Sequence, residues 1–195
     1  MKRYFIVYKP YLVLSQFTSE REKKNLGDFF SVPKDVYPIG RLDEDSEGLL
    51  ILTDDEKLNH RLLNPSFSHK REYWVQVEGT ITQHAVLLLQ QGVKINVNGK
   101  IYATKPCTVS VFNNEPAAPT RDPPIRFRKN IPVSWIKMIL TEGKNRQVRK
   151  MTAKVGFPTL RLIRYRMGDI ELGDMQPGEI KELSKRTVYE KLFHE

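Results

Sequence analysis

Apolar residues along this chain come in short runs, and the spacing within each run assigns its geometry. Tyr4 to Tyr8 is a β-type run stopped by Lys9-Pro10, because proline cannot donate to a ladder. Residues 15 to 25 are polar and charged and predict a loop, with a short helix beginning over Gly27 to Phe30. Leu49, Leu50, Ile51 and Leu52 are apolar on both faces, the pattern of a buried central strand rather than a half-exposed one. A helix is expected over Glu56 to Leu63, opened by Asp54-Asp55 and ended by Asn64-Pro65, with Leu58 and Leu62 four apart on its inner face.

Further on, Tyr73 to Glu78 alternates, with Tyr73, Val75 and Val77 on one face of a strand. Thr82 is placed to cap a helix running through Gln91, and Gly92 to stop it in a left-handed turn. Asn98-Gly99 between Lys94 to Val97 and Lys100 to Ala103 is a strong hairpin signal. Residues 107 to 111 predict another strand, followed by a proline-rich basic stretch, 113 to 132, that carries Arg121, Arg126, Arg128 and Lys129 and reads as an extended loop. A strand resumes over Trp135 to Thr141. Residues 143 to 156 predict an amphipathic helix, with Val148, Met151, Thr152 and Val155 as its core stripe and Arg146, Arg149 and Lys150 on another face. After a strand over Thr159 to Met167, two shorter strands and a terminal helix with Val188 and Leu192 complete the chain. Many strands with a few helices predict an α+β fold, a mostly antiparallel mixed sheet flanked by helices, in a single domain over residues 1 to 195.

Composition narrows the function. Thirty-two Lys and Arg against 23 acids give a formal net charge of +9, which asks for a polyanionic partner. No apolar stretch approaches the roughly 20 residues that span a bilayer, and the start lacks a signal peptide's long apolar core, so nucleic acid in the cytoplasm is the expected setting. The single cysteine, Cys107, offers neither a disulfide within the chain nor a thiolate metal cluster.

Against that basic background, residues 38 to 55 are acidic: Asp43, Glu44, Asp45, Glu47, Asp54 and Asp55 surround the apolar run. A surface built only to hold phosphates gains nothing from these acids, so at least one is a candidate for chemistry. Asp43, Asp45, Glu47, Gly48 and Asp54 have the spacing of a calcium loop, but Pro38 and Gly40 break the helix such a loop needs, and apolar residues follow the glycine. A glycosidase pair would need acids on opposite sides of a sugar. Glu44, Asp45 and Glu47 read as solvated turn residues, whereas Asp43 follows Gly40-Arg41-Leu42 at a loop edge beside a buried strand.

The stretch Gly40-Arg-Leu-Asp-Glu-Asp-Ser-Glu-Gly-Leu-Leu-Ile-Leu-Thr-Asp-Asp55 resembles the catalytic signature of pseudouridine synthases, in the branch that includes the small-subunit rRNA enzyme. Lys70 to Val77, Glu142 to Met151 and Leu160-Arg-Leu-Ile-Arg-Tyr165 follow in the family's order. Members of this branch commonly carry an RNA-binding S4 module ahead of the catalytic domain, for which this chain has no room; it is most similar to members acting on large-subunit ribosomal RNA. The resemblance implies a catalytic fold with a central cleft, isomerisation of uridine in ribosomal RNA without metal or cofactor, and a monomer acting by base flipping. It makes Asp43 the catalytic residue and Arg41 the side chain that fills the flipped base's place. Tyr73 stacks on that base. Arg149 is the cation that favours the ionised Asp43, Arg146 and Lys144 meet phosphates, and Val148 joins them in the substrate site. A catalytically silent rRNA-binding or assembly factor with the same fold is the alternative, and Asp43 separates the two.

Overall fold

The computed structural model of the chain describes residues 1–18, 22–125 and 131–195. Arg126, Arg128 and Lys129 of the expected basic loop therefore lie outside the described residues. In order along the chain, the elements are β1 (Tyr4–Lys9), β2 (Tyr37–Pro38), β3 (Glu47–Thr53), α1 (Glu56–Leu63), β4 (Arg71–Glu78), α2 (Gln83–Gln91), β5 (Lys94–Val97) and β6 (Lys100–Ala103). Then come β7 (Thr108–Val111), β8 (Val133–Leu140), α3 (Gln147–Lys154), β9 (Thr159–Met167), β10 (Ile170–Glu171), β11 (Ile180–Glu182) and α4 (Lys185–Phe193). Single turns of 3-10 helix add to these at Leu26–Asp28 and Pro65–Phe67. This is the expected α+β class, and the chain divides into two compact units: Met1–His69 with Ile163–Glu195, and Lys70–Leu162.

In the first unit β3 is the central strand. It pairs antiparallel with β1 and β2, and parallel with β9 through Glu47 opposite Ile163 and Gly48 opposite Arg164. β11 extends the sheet beyond β1. All seven residues of β3 are buried, as its two-sided apolar pattern predicts. Phe5, Val7, Leu50 and Leu52 form one core with Val13, Leu26, Phe30 and Val36, each side chain stabilising the fold by about 1.5–3 kcal/mol on burial. Asp55 caps α1 by accepting from the Lys57 and Leu58 amides, and its other oxygen accepts from the hydroxyls of Tyr4 and Tyr189 at 2.7 and 2.8 Å. That buried carboxylate ties α1, β1 and the terminal helix α4 together. Burial and the bond to Asp55 push the Tyr189 hydroxyl up to about 12.

In the second unit β8 lies between β4 and β7, antiparallel to both, with β4 in register from Arg71 opposite Leu140 to Glu78 opposite Val133. Val75, Val77, Ile136 and Met138 meet Val86 and Leu89 of α2 and Val148 and Met151 of α3 in its core. The Asn98-Gly99 hairpin forms as expected, β5 and β6 making a separate two-stranded sheet. Gly92 stops α2 at φ 90°, and a Cβ there would lie 2.3 Å from the Thr104 carbonyl oxygen. The expected helix over 143 to 156 is shorter. It begins at Gln147, because Arg146 holds a left-handed backbone (φ 53°) and residues 144 to 147 form a turn closed by the Gln147 amide donating to the Lys144 carbonyl at 3.0 Å. Gly143 and Asn145 favour that turn intrinsically, and Gln147 holds it by accepting from the Lys144 amide at 2.9 Å.

Candidate active site

The loop that carries Asp43 is built by the backbone and two buried side chains far earlier in sequence. Gly40, at φ +68°, lets the chain enter the turn. The Ser46 amide donates to the Asp43 carbonyl at 3.0 Å and closes it. Before the turn, the Leu42 amide donates to Ser15 Oγ (3.0 Å) while that hydroxyl donates to the Leu42 carbonyl (2.8 Å), so one buried serine satisfies both backbone groups of the residue next to Asp43. Within the turn, the Glu44 carbonyl accepts from the Leu12 amide at 2.9 Å and from Lys9 Nζ at 3.5 Å. Asp43 is left half-buried at the edge of this frame, and Arg41 exposed just before it.

Lys9 is fully buried, and its ammonium also donates to the carbonyls of Val13 (2.7 Å) and Pro10 (2.9 Å). Burial lowers it to about 7, against the opposing pull of Glu47, Asp45, Glu44 and Asp43. Sequence reasoning treated Lys9 only as the end of a strand, since lysine is almost never fully buried unless paired. Glu47 corrects the sequence reading. It is 1% exposed, in β3, and not a solvated turn residue. Its neighbour Gly48 runs so close to β9 that a Cβ would lie 2.4 Å from the Arg164 carbonyl oxygen, at a φ of +108° that disfavours any side chain. Arg164, 4% exposed, donates through Nε to the Leu49 carbonyl at 2.8 Å. The acidic signature therefore contains three kinds of residue: a presented acid, a glycine needed for strand approach, and acids that balance a buried lysine.

The remaining sequence candidates belong to the second unit. Tyr73 sits half-buried on β4 opposite Met138 and packs against that unit's core. Val148 is 5% exposed within the same core, so it secures α3 there. Arg149 projects from α3 half-buried, with Nη1 donating to the Thr159 carbonyl at 3.5 Å. Lys144 and Arg146 are exposed on the turn before α3, so Arg146 does not share a helix face with Arg149 and Lys150 as periodicity predicts. That turn is anchored by Glu142, 8% exposed, whose carboxylate accepts from the Tyr102 hydroxyl, the Lys105 amide (2.9 Å) and Gln147 Nε2 (2.7 Å). The signal missed was Glu142 itself: an acid beginning a basic segment is a candidate anchor. Among the described residues, no group of three or more His, Cys, Asp or Glu side chains could hold a metal, and no helix is long and apolar enough to cross a membrane.

A family described as RNA pseudouridylate synthase matches residues 3–154. A protein of Vibrio parahaemolyticus named ribosomal large subunit pseudouridine synthase E is 49% identical over 93% of this chain and 74% of its own length. One of the same name from Xanthomonas axonopodis is 47% identical over 88% of this chain and 89% of its own. Among solved structures, one described as a pseudouridylate synthase superposes with a TM-score of 0.78 at 24% identity, covering 98% of this chain and 74% of that one, which establishes the likeness of fold.

Proposed function

Because the chain belongs to the RNA pseudouridylate synthase family, we propose that it isomerises a specific uridine of large-subunit ribosomal RNA to pseudouridine, with Asp43 as its catalytic residue. The substrate rests on the relatives, which match most of the chain and are named for the large ribosomal subunit. The residue rests on the frame around it, in which Ser15, Leu12 and Lys9 fix the backbone on both sides of one half-buried carboxylate. Preorganisation of this kind is what a reacting group needs, since small misplacements cost large factors in rate.

The reaction detaches uracil N1 from ribose C1′, turns the base and rejoins it through C5; the C5 hydrogen leaves as a proton and N1 gains one, so the composition is unchanged. Attack on C1′ and removal of the 2′ proton both require the ionised carboxylate. A stacked uridine is out of reach and must be flipped. Arg41, exposed beside the turn, takes the vacated place. Tyr73 stacks on the flipped base, Arg149 supplies positive charge, and Lys144 and Arg146 hold phosphates from their turn. Val148 contributes by seating α3. The protein acts in the cytoplasm, as a monomer. The test is release of tritium from 5-tritiated uridine in large-subunit RNA. Wild type should release it; Asp43→Asn should bind the RNA and release none. Wild-type protein inactive on both naked RNA and assembly intermediates would overturn the proposal.

A further inference from the structure

The two units differ sharply in charge. Lys70–Leu162 holds 16 Lys and Arg against five acids, net +11, while the other unit holds 16 against 18, net −2. Within the basic unit no acid occurs between Glu78 and Glu115, or between Glu142 and its end at Leu162. The first of these acid-free stretches contains the β5–β6 hairpin. Its inner face, Ile95, Val97 and Tyr102, packs against the core. On its outer face Lys94, Asn96, Ile101 and Ala103 are all exposed, Ile101 at 70%. Lys100 and Lys105 are exposed at the turn and just past the end of β6.

This hairpin is locked to the turn that carries Lys144 and Arg146. Glu142 accepts from the Tyr102 hydroxyl and the Lys105 amide on the hairpin side, and from Gln147 on the helix side. Gln147 in turn accepts from the Lys144 amide, and Lys144 Nζ lies 4.8 Å from the centroid of the Tyr102 ring. Glu142 is nearly fully buried under these bonds, so it joins two basic segments while presenting almost none of its own charge to a ligand.

From this geometry we infer that the β5–β6 hairpin is an RNA-binding surface, continuous with the Lys144–Gln147 turn, that grips the phosphate backbone of the substrate RNA. The inference rests on the RNA substrate proposed above. Its occupant is a polyanion because the surface joins lysines to a single large exposed aliphatic, Ile101, with no acid in the hairpin, and lysine–phosphate pairing supplies sequence-independent affinity. The Glu142 lock means that little ordering entropy is spent when RNA arrives.

The test compares a hairpin triple variant, K94Q/K100Q/K105Q, with a control triple from the other unit, K34Q/K57Q/K181Q. Binding of a full-length large-subunit ribosomal RNA transcript is measured from low to high salt. Each lysine–phosphate pair removed should reduce the slope of log K against log salt by about 0.7–0.9, so removing three should weaken binding on the order of 10- to 100-fold at physiological salt. The hairpin triple should show this weakening and the control triple should not. Equal weakening in both, or wild-type affinity and slope in the hairpin triple, would overturn the inference; the latter result would leave the exposed face to a protein partner. Wild-type tritium release is read separately, so a failure of the proposed activity is distinguishable from a failure of this surface.

Discussion

Replacing Lys9 with methionine tests the frame of the Asp43 turn, because one buried ammonium bonds three carbonyls there. Its bonds to Val13 and Pro10 are short, at 2.7 and 2.9 Å, and the one to Glu44 is long, at 3.5 Å. Leaving a buried carbonyl without its donor costs about 1–3 kcal/mol, so the two short bonds put the loss at roughly 2–6 kcal/mol before any relief. Relief comes from burial, which lowers the ammonium from its ordinary 10.5 to about 7. Between those values the unfolded chain binds more protons than the folded one, so Lys9 makes wild-type stability rise with pH through that window. From about pH 7.5 to about pH 9.5 the wild type should gain ~2.5 kcal/mol relative to Lys9→Met, which carries no proton there. Urea unfolding of both proteins at intervals across this range, with m-values compared, measures the difference. Parallel pH dependences would mean that the carbonyls and surrounding carboxylates, not burial, govern the group.

Two further substitutions probe the same unit. Ser15→Ala leaves both the amide and the carbonyl of Leu42 without their side-chain partner, which at about 1–3 kcal/mol per buried group should cost roughly 2–6 kcal/mol before relaxation. It should also lower kcat more than it raises KM, with Ser15→Thr restoring much of the rate; an effect on stability alone would remove Ser15 from catalysis. Gly48→Ala drives a Cβ against the Arg164 carbonyl at an unfavourable φ and should destabilise by more than about 2 kcal/mol, as read by thermal or urea unfolding. A change within about 0.5 kcal/mol would show that β3 and β9 can part there at little cost.

What could be read from the sequence was what local chemistry dictates. The Asn98-Gly99 hairpin and the helix Glu56–Leu63 have the expected bounds because turn residues, caps and apolar spacing all agree there. The buried strand at Leu49 to Leu52 was legible for the same reason, but its first two residues were not, because a glutamate and a glycine look like a turn until the partner strands are known. Ser15 and Glu142 act through partners 27 and 40 residues away, Leu42 and Tyr102, and Lys9, bonded locally to Pro10 and Val13, also reaches Glu44 35 residues away. Such separations leave no periodic trace. Arg161 and Arg164 lie on opposite faces of β9, and a charged residue on a strand reads as exposed, yet both are buried, held by the carbonyls of Pro119 and Leu49. Asp43 could be singled out from its motif; the frame that presents it could be found only in three dimensions.

The most direct test of the central claim is a map of pseudouridines in ribosomal RNA from cells lacking this protein, complemented with wild type or with Asp43→Asn. One pseudouridine of the large-subunit RNA should disappear, wild type should restore it, and Asp43→Asn, expressed at the same level, should not. An unchanged map, or restoration by Asp43→Asn, would contradict it.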